Sequence, residues 1–172
     1  MSLPPKLERT VKLFASAPKD LKLQALLEYS RKVPPLPARY AADPSLLERV
    51  PECQTAFFLA ADVLDGHVHL AFDCPPEAPT TRGFAGILAY SLEGATVAEV
   101  LAVPDDFYLD MGLGDAISHL RLRGMGAILR RLKHQVSDAN ERDELAEATQ
   151  PARTATEGRG PASRGQRIPR GR

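Results

Sequence analysis

Residues 55–72 read Thr-Ala-Phe-Phe-Leu-Ala-Ala-Asp-Val-Leu-Asp-Gly-His-Val-His-Leu-Ala-Phe. Two apolar, strand-forming runs, 55–63 and 67–72, flank Leu64-Asp65-Gly66. Asp-Gly tolerates the positive φ angles that a tight turn between antiparallel strands demands, so the stretch predicts a β-hairpin. An isolated hairpin is only marginally stable in water and needs cover on one face. The flanking segments supply that cover as helices.

On the N-terminal side, Leu7, Val11 and Phe14 recur at helical spacing over residues 5–16, and Pro18 ends that segment. Asp20 is placed to cap a second helix carrying Leu23, Leu26, Leu27 and Ser30, stopped by Val33-Pro34-Pro35. From Pro34 to Pro51 no period is sustained, and an irregular connection is expected. On the C-terminal side, Thr80 and Thr81 are candidate caps of a helix with Phe84, Ile87, Leu88 and Ser91, ended by Gly94. Thr96-Val97-Ala98-Glu99 matches a capping box, and Pro104 closes that short helix. Asp105 to Met111 reads as another short helix before the turn Gly112-Leu113-Gly114. A last helix follows Ser118–Arg123 with Met125, Ile128, Leu129, Leu132 and Val136 at helical spacing. The expected fold class is α+β: a small antiparallel sheet packed against several helices. Beyond Ser137 the apolar period fails, so residues 1–137 are expected to form the domain and 138–172 a disordered tail rich in Arg, Pro and Gly.

Composition narrows the function. Of 172 residues, 44% are hydrophobic, enough for one domain with its own core. Trp is absent and Phe and Tyr total ten, too few for a base-stacking platform. Basic and acidic residues balance at 22 each, yet residues 151–172 hold six arginines and one acid, which leaves the rest net acidic by five. Neither nucleic acid nor membrane is an expected partner: no apolar run reaches the ~18 residues of a bilayer span. Two cysteines do not make a disulfide framework, and no signal-peptide pattern opens the chain. A reducing cytoplasm is the expected compartment. No glycine-rich phosphate loop and no Ser-His-Asp arrangement is identifiable.

Cys53 lies in Val50-Pro51-Glu52-Cys53-Gln54-Thr55, a polar loop directly before an apolar strand. A thiol there reads either as a small buried filler or as a nucleophile offered to a partner. Cys74, in Phe72-Asp73-Cys74-Pro75-Pro76, reads as a filler or as a second thiol able to pair with Cys53. Asp73 reads as a strand-end acid or a partner contact. His67 and His69 alternate along one strand, a geometry open to metal if Cys74 or Asp73 converged on it, and otherwise ordinary polar surface.

Three ordered blocks resemble the SufE family: Val50-Pro51-Glu52-Cys53-Gln54-Thr55-Ala56-Phe57-Phe58-Leu59; Thr81-Arg82-Gly83-Phe84-Ala85-Gly86-Ile87-Leu88; and Met111-Gly112-Leu113 through Ile117-Ser118-His119-Leu120-Arg121-Leu122-Arg123-Gly124-Met125. The last is similar to that family's leucine-serine-proline-x-Arg-x-x-Gly-Leu pattern. Four departures stand out: Glu52 replaces the usual glycine, Thr55 the usual serine, Phe57-Phe58 the usual tryptophan, and His119-Leu120 a proline-serine pair.

The resemblance covers about residues 5–137. It implies sulfur relay, in which Cys53 accepts persulfide sulfur from a SufS-type cysteine desulfurase and passes it to a SufB-type iron-sulfur cluster scaffold. No intrinsic cofactor is implied, since pyridoxal phosphate belongs to the desulfurase. The attacking species must be a thiolate. Arg121 and Arg82, each inside a matching block, are therefore the expected thiolate-stabilising or partner-contacting cations, while Glu52 should disfavour ionisation. Gly83, Gly112 and Gly124 either permit tight packing and turns near the site or merely end helices. Two other functions remain open: a non-covalent adaptor of a desulfurase, and a thiol redox protein using Cys53 and Cys74.

Overall fold

In the computed structural model the described residues are 3–150. The element order is α1 (Pro5–Ser16), α2 (Lys19–Ser30), α3 (Ala38–Ala42), β1 (Glu48–Arg49), β2 (Phe58–Leu64), β3 (His67–Asp73), α4 (Pro79–Leu92), α5 (Val97–Leu101) and α6 (His119–Thr149), with short 3-10 turns between some of them. The fold is α+β, a three-stranded antiparallel sheet in the order β1-β2-β3 with helices around it.

The hairpin forms on its expected turn, with Asp65 at φ 51° and Gly66 at φ 75° and Leu64 paired with His67. Its first strand starts at Phe58 rather than Thr55. Register follows from the period of two. Leu59 opposite Phe72, Ala61 opposite Leu70 and Val63 opposite Val68 face the helices and join the main core. Ala60 opposite Ala71 faces the other way and is covered by Tyr40 and Leu47 in a second, smaller cluster. The segment read as irregular therefore contains α3, a 3-10 turn and β1, and shields the outer face of the sheet. Its local sequence carries no period because short elements separated by Pro and Asp cannot repeat one.

The free edges of the β2–β3 hairpin are partly covered. Beyond its two-residue pairing with β1, β2 is met by Gln135 of α6, which accepts from the Ala61 amide at 2.8 Å and donates to Leu59 O at 3.4 Å. Along β3, the Val68 amide donates to Ala95 O at 2.9 Å and the Gly94 amide to Val68 O at 2.8 Å.

α4 is buried on nearly every side, and α2 crosses it at Gly83 and Gly86. A Cβ on Gly86 would lie 1.9 Å from the Tyr29 carbonyl oxygen, and one on Gly83 2.4 Å from that of Leu26. Hydrogen is the only side chain that allows this approach. The capping box at Thr96 forms as expected, with Glu99 N to Thr96 Oγ1 at 3.2 Å and Thr96 N to Glu99 Oε2 at 2.8 Å.

Several sequence expectations need correction. α2 starts at Lys19, so Asp20 lies in its first turn instead of capping it, and Leu23 and Leu27 face solvent while Lys22 is buried. Its leucines at 21, 23, 26 and 27 point all round the helix, and the α4 crossing selects Leu26. α4 starts one residue before Thr80, after Ala78.

The expected disorder does not begin at Ser137: α6 continues to Thr149, so residues 138–149 are helical. Ala139 is still buried, and seven of residues 140–149 (Glu, Arg, Leu and Ala) are strong helix formers able to extend a nucleated helix without a core of their own. Asp143 accepts from the Gly66 amide at 3.4 Å, joining this extension to the hairpin turn. The expectation for residues 151–172 lies outside the described residues. Among the described residues no helix is long and apolar enough to cross a membrane.

Candidate functional site

Cys53 sits on the loop between β1 and β2, held at its base by Val50 N to Phe57 O at 2.9 Å and by its own amide to Val50 O at 3.2 Å. Its side chain is half-buried against the core and its Sγ lies 3.9 Å from Gly124 O. Gly124 makes the seat: a Cβ there would meet Cys53 Sγ at 3.3 Å. A cavity of about 110 Å³ adjoins the thiol, lined among others by Cys53, Gln54, Thr55, Thr80, Thr81 and Arg121. The Thr55 hydroxyl is buried without a protein partner.

The two expected cations have different fates. Arg121, in the first turns of α6, lines the Cys53 cavity and donates from Nη1 to Thr80 Oγ1 at 3.2 Å. Arg82 turns away from that cavity. It donates from Nε to Ser30 O at 2.9 Å and from Nη1 to Cys74 O at 2.6 Å, and Nη1 is 3.7 Å from Cys74 Sγ. It thus ties the C-terminus of α2 to the end of β3. Cys74 itself is buried, and burial raises its thiol pKa against the opposing pull of Arg82. Both cysteines are free thiols. His69 pairs with Glu93 at 2.8 Å while His67 meets Asp65 O at 2.9 Å, so the alternating rings serve separate partners.

A third arginine, not singled out from sequence, bears directly on the loop. Arg131 of α6 donates from Nη2 to Glu52 Oε1 at 2.9 Å and Oε2 at 3.2 Å, from Nε to Glu52 Oε2 at 3.3 Å, and from Nη1 to Glu48 Oε1 at 2.8 Å. One spacing hints at it: Arg131 lies two helical turns beyond Gly124 on one α6 face.

Burial, reinforced by the neighbouring Glu52 carboxylate, pushes the Cys53 thiol from 9.0 up to about 11, with Arg131 opposing. Neither Arg121 nor Arg82 offsets this rise; Arg131 is the cation that does. Because the folded state holds the proton more tightly, the thiol's contribution to stability is fully present below about pH 9 and is lost as pH rises through about 11. The difference in urea-unfolding free energy between wild type and Cys53→Ser should therefore move against wild type between about pH 8 and about pH 10.5. A difference that does not change across that window would contradict the raised pKa.

Comparison with known proteins agrees with this fold. The SufE family model, described as an Fe-S metabolism associated domain, matches residues 8–136. An uncharacterized SufE-like protein of Mycobacterium tuberculosis is 48% identical over 140 residues, covering 81% of this chain and 96% of that protein. A SufE-like protein 1, chloroplastic/mitochondrial, of Arabidopsis thaliana is 29% identical over 132 residues, 76% of this chain and 34% of its own length. The solution structure of a hypothetical protein from Thermus thermophilus superposes with TM-score 0.72 at 49% identity, over 81% of this chain and 99% of that one. With the family model spanning most of the chain and a near-half-identical relative matched over almost its full length, the chain belongs to the SufE family, whose domain is associated with Fe-S metabolism.

Proposed function

We propose that this protein accepts sulfane sulfur on Cys53 from a SufS-type cysteine desulfurase and hands it to a SufB-type iron-sulfur cluster scaffold. One observation carries the reading: a half-buried loop thiol opens on a cavity lined by Arg121 and Thr55. The Cys53 thiolate attacks the terminal sulfur of the desulfurase persulfide. A new S–S bond forms at Cys53, the desulfurase S–S bond breaks, and the desulfurase cysteine leaves as thiolate, with no net oxidation. The chain needs no cofactor of its own for this step, and pyridoxal phosphate stays with the desulfurase.

The cavity of about 110 Å³ exceeds what one water needs, leaving room for one added sulfur beside the Arg121 guanidinium. The thiol pKa near 11 fits a carrier that is inert alone, because almost no thiolate exists at neutral pH until the loop leaves its seat. Docking on the desulfurase supplies that release, and removal of its persulfide speeds its turnover. A reducing cytoplasm suits such a free thiol.

The test is intact-mass spectrometry after incubation with a cysteine desulfurase and cysteine. One added sulfur atom mapped to Cys53 and removed by reductant is the expected result. Stimulation of the desulfurase with no adduct would replace the carrier by a non-covalent adaptor, and a Cys53–Cys74 disulfide formed instead would replace it by a redox protein.

A further inference from the structure

The carboxylate that stands where the family pattern has glycine is not free. Glu52 is gripped by three hydrogen bonds from Arg131, and the same guanidinium is anchored to Glu48 in β1. One side chain of α6 therefore joins the sheet to the residue adjoining Cys53, while Gly124, two turns earlier on that helix, receives the thiol. The Arg131 and Glu52 side chains are 30% and 44% exposed, so the contact is within reach of solvent and can open without unfolding the core. Arg131 also holds Glu52 below the ordinary carboxylate range, so the pair stays ionised through neutral pH.

We propose that Arg131 is a positioning residue: through Glu52 it clamps the Cys53 loop onto α6, and this ion pair must part before the thiol leaves its seat. The inference deepens the sulfur-acceptor reading of Cys53. Thiol alkylation reads the loop alone, however, so a failure of sulfur transfer and a failure of the clamp are separable.

The clamp makes a prediction that simple electrostatics does not. Glu52 raises the Cys53 pKa and Arg131 lowers it, so without a clamp Glu52→Gln would speed alkylation and Arg131→Gln would slow it. A clamp makes both substitutions open the loop, relieving the burial that dominates the shift, and both speed alkylation.

The experiment is iodoacetamide modification of Cys53 in the full-length protein at low salt, each rate divided by that of the same chain in denaturant. Glu52→Gln and Arg131→Gln are each expected to raise the ratio about fivefold, the size appropriate to a bidentate, partly exposed pair. The double variant should gain little more, since one contact is lost in all three. Added salt should raise the wild-type ratio and leave the double variant's unchanged.

Arg131→Lys keeps the charge but loses the fork, so it too should react faster than wild type. That variant also covers the case in which loss of the Glu48 contact unfolds Arg131→Gln. Opposite signs for Glu52→Gln and Arg131→Gln, or an unchanged rate in Arg131→Lys and Glu52→Gln, would overturn the clamp.

Discussion

Cys53→Ser is expected to reduce sulfur acceptance to zero while leaving the fold intact. The loss is complete because the proposed function is stoichiometric: a carrier must hold sulfane sulfur in an S–S bond, and a hydroxyl forms no such bond. Serine is also un-ionised at neutral pH and a far poorer nucleophile toward sulfur than a thiolate. Stability should change little, because Cys53 is only half-buried and its sulfur makes one long polar contact, 3.9 Å to Gly124 O. Cys74→Ser should retain acceptance, since Cys74 is buried at the end of β3 and lies under Arg82. Mass spectrometry of both variants after reaction with a desulfurase decides the matter. Sulfur still arriving on the Cys53→Ser chain would show that another residue carries it. Loss of transfer in Cys74→Ser would make the second thiol part of the chemistry.

Gly86→Ala should be among the most destabilising single-methyl changes in the domain. The added Cβ would stand 1.9 Å from the Tyr29 carbonyl oxygen and 2.6 Å from its carbon, both backbone atoms, so no rotamer change relieves the clash. α2 must shift as a body. Tyr29 then loses its place between Phe14 and Tyr90, at centroid distances of 6.0 and 5.9 Å, and its hydroxyl contact with Thr10 at 3.2 Å. Overpacking of this kind costs ~1–3 kcal/mol or more, while replacing glycine in a helix returns ~1 kcal/mol.

Because the obstruction is main chain rather than a flexible side chain, a net loss of about 2 kcal/mol or more is expected. For a domain of this size that lowers Tm by roughly 5–10 °C. Gly114→Ala is the control: a Cβ there meets nothing within 4 Å, and the change should stay within ~0.5 kcal/mol. Thermal or urea unfolding of the two variants gives the comparison, and equal midpoints would mean that α2 is not held at the distance described.

The hairpin was legible because its information is local. Alternation of side chains over 58–73 settles which residues face the helices, and Asp65-Gly66 permits the turn, so neighbours in sequence suffice. The capping box at Thr96 was legible for the same reason. α6 was legible in its buried part but not in its length. An apolar period marks only the turns that touch a core, whereas residues 140–149 extend the helix on propensity once it is nucleated. On α2 the leucines suggest one stripe, yet Leu26 lies at the crossing with α4, Lys22 is buried with its ammonium donating to Gly112 O, and Leu23 and Leu27 are exposed.

The candidate site divides in the same way. Cys53 and its loop setting were readable, as was the placement of Arg121 in a block resembling a known family. Sequence could not say that Arg82 would be spent on Ser30 and Cys74, or that Arg131 would hold Glu52 from 79 positions away.

By itself, then, the sequence determined the hairpin, the periods of α1, α4 and α6 and the loop setting of Cys53, because each is written in residues within a few positions of one another, and it determined the family through three ordered blocks between residues 50 and 125. Tertiary structure alone decided the glycine crossing of α2 on α4, the seat of Cys53 on Gly124, the rise of its pKa and the cation that faces it. Those depend on which backbones approach and how much water they exclude. Burial and charge pairing are properties of surfaces brought together from distant parts of the chain.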